Sequence, residues 1–309
     1  VTERTRRTAL LPTDRPARPP APPRDTEPAA TLTVDRAPVT LSPVKRRLRE
    51  RLRARAARPR PDGPVTLRPG PDRPGIVLVH PVGGSLLCYA RLVAELPDCG
   101  PVLGFAADRP ADDLADADRV AGLAARYLAT VPGDPAQWVY AGWSFGGLVA
   151  YEMGRRTGGP AVLVDSGFPG GDLPGEPELR RIFVEDVCRT AGVPPPPPDG
   201  DADPRAVLVD AGVLTAEEGA EVAGRYPVCR SNVRALVADR PRHNPGAVRY
   251  LRAGRSPDDG PKWRAVAPAL RAGQVAGADH YDLLGPRHVA AVAELLRTTR
   301  RERGTTWNS

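Results

Sequence analysis

The stretch "VYAGWSFGGLVAYEM", Val139 to Met153, constrains this chain more than any other. One apolar run enters it and another leaves it, and between them Gly142, Gly146 and Gly147 crowd around Ser144. An ordinary buried strand has no use for glycines placed in this way. A flexible loop would not be bracketed by "WVYA" and "LVAYEM". The pattern predicts a strand, a very tight turn at Ser144, and then a helix. "GWSFG" is also G-x-S-x-G, the nucleophile-elbow spacing. Such a turn forces its serine into a strained backbone conformation. Side chains at the flanking positions would clash, so those positions are glycine. The hydroxyl is lifted clear of the sheet at the start of the next helix, whose N–H groups point to where an oxyanion would form.

The surroundings agree with a turn of this kind. "GIVLVH" (75–80) is a near-continuous apolar run, as expected of a strand buried on both faces. "PVLGFAA" (101–107), "WVYAGW" (138–143) and "AVLVDS" (161–166) read as further strands. Between them, "SLLCYARLVAEL" (85–96), "RVAGLAARYLATV" (119–131) and "FGGLVAYEMGRRT" (145–157) have helical spacing. Alternating strand and helix predict a mainly parallel sheet with right-handed crossovers. The alternation stops over residues 168–245, where two or three helices and a run of five prolines (194–198) intervene. It resumes with "AVRYLRAG" (247–254), a short strand near 273–277 and a last helix near 286–299. The expectation is an α/β-hydrolase fold over 64–300, a mainly parallel sheet with a helical lid inserted at about 168–245. A flexible tail is expected at 301–309.

Serine at its ordinary pKa is a weak nucleophile. It needs a base, and the base needs an acid to orient it. In α/β-hydrolases the chain order is serine, acid, histidine. Of the four histidines, His80 precedes the serine, His243 lies in the lid segment and His288 begins the last helix. His280, in "AGADHYDLL", falls between the last strand and the last helix, where the base belongs. The acid has two candidate places. Asp165 ends the strand after the elbow, where active sites of open α/β sheets collect. Asp258 and Asp259 lie one strand later in "RSPDDG", which also reads as a solvated turn. Asp279 is too near His280 in sequence to reach its far ring nitrogen comfortably. Strand-end placement favours Asp165. "HPVGGS" (80–85) is a second glycine-rich piece, at the end of the first buried strand. Its position suits a loop that supplies one oxyanion-hole N–H, and the residue after the nucleophile, Phe145, supplies the other.

Composition removes other classes. Residues 1–60 hold 16 Lys and Arg against 6 Asp and Glu, a net of +10; residues 61–309 hold 28 against 31, a net of −3. The nearly neutral body gives nucleic-acid binding no electrostatic support. The first sixty residues contain ten prolines and no Phe, Trp or Tyr. They predict a disordered basic arm, with a helix over 41–57 that Ser42 can cap and Pro43 can open. No run approaches the ~20 apolar residues of a membrane span, and no signal-peptide pattern opens the chain. Four cysteines without CxxC spacing or a metal-site pattern predict reduced thiols in a cytoplasmic protein, with no metal.

"HPVGGSLLCYARL", "YAGWSFGGLVAYEM", "LVDS" and "GADHYDLL" together resemble the thioesterase domains that end non-ribosomal peptide synthetases and hybrid polyketide synthases. The resemblance covers about residues 64–299. It implies Ser144 as nucleophile, His280 as base, Asp165 as acid, and the backbone of Val82 and Phe145 as oxyanion donors. It also implies a helical lid, no cofactor, and a substrate delivered on the phosphopantetheine arm of an acyl or peptidyl carrier protein, in cis or in trans. The expected reaction is release of that acyl or peptidyl chain by hydrolysis or cyclisation, in antibiotic-type secondary metabolism. Alternatives are an editing thioesterase and a carboxylesterase or lactonase acting on a free small molecule. No carrier-type "GGDSL" stretch occurs in this sequence.

Overall fold

A computed structural model describes residue 50, residues 63–70, 75–197 and 202–305 of the chain. The basic arm expected over 1–60 and its helix at 41–57 lie outside the described residues, apart from Glu50.

Seven strands form one sheet: β1 (Val65–Arg68), β2 (Ile76–Val79), β3 (Val102–Phe105), β4 (Val139–Trp143), β5 (Ala161–Val164), β6 (Val248–Ala253) and β7 (Arg271–Val275). Their spatial order is β1-β3-β2-β4-β5-β6-β7. Only β1 runs antiparallel, against β3; the other neighbours are parallel. Helices α1 (Ala90–Ala94), α2 (Arg119–Leu128) and α3 (Phe145–Thr157) make the first crossovers. Four helices then interrupt the alternation: α4 (Glu176–Ala191), α5 (Pro204–Asp210), α6 (Ala216–Ala223) and α7 (Tyr226–Ala238). After β6 come α8 (Gly260–Val266), β7 and the closing helix α9 (Val289–Thr305).

Strands β2 to β5 are buried along their whole length, because helices cover both faces of the sheet. Alternate side chains feed two cores. Val77, Val79, Phe105, Tyr140 and Leu163 pack with α2, α3 and the inserted helices. Ile76, Leu78, Val139, Ala141 and Val162 pack with α1 and α9. Each such aliphatic side chain contributes about 1.5–3 kcal/mol on full burial. The inserted helices share the first core through Leu179, Phe183, Leu208 and Val233, so they are built onto the body of the domain.

Four details differ from expectation. The short edge strand β1 and helix α8 were not anticipated, and the insertion holds four helices where two or three were expected. The segment 301–309 does not begin as a flexible tail. Helix α9 continues to Thr305, and Thr299 is buried on it with its Oγ bonded to the Leu295 carbonyl.

Candidate active site

The C-terminal ends of β2, β4 and β5 and the loop after β7 bring the sequence candidates together, as expected of an open parallel sheet. At the end of β4, Ser144 has φ 57° and ψ −129°. Its N–H donates to the Val164 carbonyl on β5 (3.0 Å), and its own carbonyl accepts from Gly147 N (3.0 Å). The glycines are required by space. A methyl on Gly142 would collide with the Gly146 backbone, and one on Gly146 with the Val79 carbonyl of β2. Tyr89 locks the same corner from α1's approach: its hydroxyl accepts from Trp143 N (2.8 Å) and donates to Val79 O (2.6 Å). Between Trp138 and Gly154 every residue is buried except Ser144. Its hydroxyl does not cap α3 and forms no hydrogen bond among the described residues.

Asp165 follows β5 directly. It and Ser144 are the two non-glycine residues with positive φ among the described residues, a conformation that costs of order 1–3 kcal/mol and persists where surrounding structure imposes it. The Asp165 carboxylate is saturated with donors. Oδ1 accepts from Ala253 N (2.7 Å), and Oδ2 accepts from Ser256 Oγ (2.6 Å) and His280 Nδ1 (2.6 Å). Burial pushes its pKa up, but the bonds from His280, Ser256 and Ala253 outweigh burial and hold it below the ordinary carboxylate value. The His280 ring stacks on Trp143, with centroids 4.6 Å apart, and Trp143 Nε1 donates to the His280 carbonyl (3.0 Å). Tyr281 meets both rings edge-on. With Nδ1–H given to Asp165, His280 keeps Nε2 as its acceptor.

The other candidates are engaged elsewhere. Asp258 Oδ1 accepts from Gly260 N (2.9 Å). Asp259 accepts from Phe168 N (2.9 Å) and pairs with Lys262 (2.8 Å). Asp279 Oδ1 closes a turn onto Tyr281 N and Asp282 N. His80 is fully buried, with Nδ1–H donating to Pro81 O and Nε2 accepting from the Tyr127 hydroxyl, both at 2.8 Å. Burial lowers its pKa to about 4, so it is neutral. His243 is exposed and His288 opens α9; neither meets Asp165.

The loop after β2 turns through a Gly84 N to Pro81 O bond and is anchored to the loop after β3 by Ala107 N to Gly84 O, both 3.0 Å. No acceptor among the described residues engages the N–H of Val82 or of Phe145. The Val82 carbonyl is held from above by Asn232 Nδ2 on α7 (2.9 Å). Helix α7 is itself tied to the body: Arg119 donates to Ser231 O (3.1 Å) and Arg234 pairs with Asp116 (2.9 Å). The sequence reading missed Tyr89, Ser256 and Asn232. Ser256 sits two residues before Asp258, in the same "RSPDDG" loop after β6. Among the described residues no group of His, Cys, Asp and Glu is arranged to hold a metal ion, no helix is long and apolar enough to cross a membrane, and none of the four cysteines is in a disulfide.

Ser256 gives a pH test. Asp165 has a folded-state pKa depressed below its unfolded value. It therefore contributes stability that is present above the unfolded value and lost as pH falls through the folded one. Ser256→Ala removes a charge-assisted donor, worth about 1.5–3 kcal/mol at neutral pH. Acid unfolding should then begin at higher pH than in the parent, read by thermal melts between about pH 3 and 7. An unchanged acid limb would separate Ser256 from the titration of Asp165.

A mainly parallel sheet, a strained serine after its central strand and a carboxylate–imidazole pair beyond the strand ends are the features of the α/β-hydrolase fold. Residues 74–159 match the family described as the thioesterase domain, and the chain is similar to thioesterases of the polyketide and non-ribosomal peptide type. A non-reducing polyketide synthase, crz7 of Cladonia metacorallifera, is 26% identical over 270 residues, covering 75% of this chain and 12% of the synthase. The thioesterase frbE of Dothideomycetidae sp. (strain 11243) is 34% identical over 106 residues, covering 32% of this chain and 39% of that protein. The chain thus spans much less than the full length of these relatives. The four-domain non-ribosomal peptide synthetase AB3403 has the same fold at a TM-score of 0.65 and 21% identity, over 80% of this chain and 21% of the synthetase. The Vlm2 thioesterase domain superposes at 0.54 and 23% identity, over 76% of this chain and 96% of that domain.

Proposed function

We propose that this chain is a serine thioesterase that takes an acyl or peptidyl chain from the phosphopantetheine thioester of a carrier protein. Ser144 Oγ attacks the thioester carbonyl while His280 Nε2 takes its proton. The Asp165 carboxylate fixes the His280 tautomer and stabilises the imidazolium without taking the proton. The N–H groups of Val82 and Phe145 receive the oxyanion. His280 returns its proton to the departing thiolate, leaving an ester on Ser144. Water, or a nucleophile within the chain itself, then releases the product. Every one of these roles falls on this chain's own residues, and none needs a cofactor. The carrier protein is the partner, in cis or in trans, in a cytoplasmic setting. The observation that carries the reading is the 2.6 Å bond between His280 Nδ1 and Asp165 Oδ2, beside a serine held in an elbow with its hydroxyl uncommitted.

Intact-protein mass spectrometry after incubation with acyl-carrier thioesters tests it. The expected result is a mass gain of one acyl group, mapped to Ser144 and absent from Ser144→Ala. Plain oxygen esters run in parallel discriminate an esterase. Acylation by free esters with no reaction of carrier thioesters would replace this reading with the carboxylesterase one.

A further inference from the structure

Helix α4 carries four carboxylates, and three are occupied. Glu176 accepts from the Tyr226 hydroxyl (2.7 Å), Glu178 pairs with Arg181 (2.5 Å), and Glu185 pairs with Arg181 (3.3 Å) and Arg189 (3.8 Å). The fourth, Asp186, points inward. It is 6% exposed and makes no hydrogen bond or ion pair among the described residues. Its Oδ2 fills the space that a side chain at Gly83 would need, so it rests on the loop next to Val82. It feels the charge of His280, and Tyr281 and Cys229 feel the charge of Asp186.

An uncompensated carboxylate is a poor neighbour for an oxyanion hole, because it opposes the negative charge that develops there. Desolvation already raises its pKa to about 6, against the pull of His280 and with the push of Glu185. At pH 8 it is nonetheless ionised, buried and without a hydrogen-bond or ion-pair partner among the described residues. Both problems end if the substrate brings a cation. The cation must sit close to the scissile carbonyl, since Gly83 adjoins Val82. An α-amine lies about 2.5 Å from its own carbonyl carbon; a lysine or arginine side chain would carry its charge further off.

We infer that Asp186 forms an ammonium subsite, so that the acyl group handled here bears a free amine beside its thioester carbonyl: an α-aminoacyl group. This rests on the thioesterase reading above and names the chemistry of its substrate. Asp186 is a specificity-determining residue in it, and lid helix α4 delivers the charge.

The test compares alanyl and propionyl N-acetylcysteamine thioesters on the full chain at pH 8. The parent should prefer the alanyl thioester in kcat/KM by about 10²-fold, the scale of a desolvated charge pair. Asp186→Asn should collapse that ratio to about one, and Glu185→Gln, at the neighbouring half-buried carboxylate paired with Arg181 and Arg189, should keep it. Two measurements do not depend on turnover. Alaninamide, but not propionamide, should raise the melting temperature of the parent, and Asp186→Asn should remove that rise. Without ligand, Asp186→Asn should melt higher than the parent at pH 8, by a margin that shrinks as pH falls through about 6 and closes only near the ordinary aspartate value of about 4. A carboxyl whose pKa is raised on folding favours the fold below its unfolded pKa, and that benefit is lost as pH rises through about 6. Equal turnover of the two thioesters by the parent, with Ser144 still labelled by a fluorophosphonate, would overturn the subsite and leave the thioesterase reading standing. Absence of Ser144 labelling would strike the thioesterase reading itself, and in that case an alaninamide effect insensitive to Asp186→Asn, or no effect, overturns the subsite too.

Discussion

Ser144→Ala should lower turnover of any thioester substrate by about 10⁴-fold or more, with no acyl-enzyme formed and no loss of melting temperature. The size follows from what is removed. In the proposed mechanism the serine is the group that bonds to the acyl carbon, so its loss removes the nucleophile that His280 and Asp165 would activate. Stability should be retained because Ser144 Oγ makes no hydrogen bond among the described residues and does not cap α3. The contacts that hold the elbow are backbone bonds and close glycine packing, which alanine keeps. Single-turnover kinetics with an acyl-pantetheine thioester would measure the loss. Near-normal turnover in the variant would show that the nucleophile lies elsewhere.

Asp165→Asn should cost a similar factor, about 10⁴, whereas Asp258→Asn with Asp259→Asn should change kcat by only a few-fold. An amide at 165 has one oxygen for the three donors that now converge there, Ala253 N, Ser256 Oγ and His280 Nδ1. Presenting its NH2 to Nδ1 would favour the tautomer with the proton on Nε2, which cannot accept from the serine. Asp258 and Asp259 instead hold the start of α8, through Gly260 N and through Phe168 N with Lys262. Their loss should appear in thermal melts, at about 1 kcal/mol each, more than in kcat. Comparing kcat with melting temperature across the two variants separates the roles. A double variant more damaged in kcat than Asp165→Asn would move the acid to the later loop.

Local chemistry explains why some of this was legible beforehand. The elbow was visible because Gly142 is dictated by the Gly146 backbone four residues on and Gly146 by the adjoining strand β2, at positions one pentapeptide spacing records, and the buried strands β2 and β5 because both faces demand apolar residues. Asp165 against Asp258 was a narrower choice, since it depends on where the loop after β7 comes down, which no local pattern states. Strand β1 was missed because four residues on a sheet edge carry too little alternation. The insertion's helix count was readable in part: Thr215 and Glu218 form a capping box that opens α6. Asp186 was readable too, as a charge three residues after Phe183 and seven after Leu179, on the buried stripe of α4. Set among Glu178, Arg181 and Glu185, it shares the local charge pattern of a solvated face. Helix α9 ran past its expected end because Thr298, Thr299 and four arginines disguise a turn that still packs through Thr299.

The bond from Asn232 to the Val82 carbonyl, with the ties from Arg119 and Arg234, bears on how such a domain can be re-engineered. Treating everything between β5 and β6 as one exchangeable cassette would discard the support of the loop after β2 together with the covering helices. The natural seam falls inside the insertion, at the start of α7. A chimera that imports a foreign segment only up to Arg225, and keeps Tyr226–Ala238 with its own Asn232, retains the scaffold that the native chain builds around its serine.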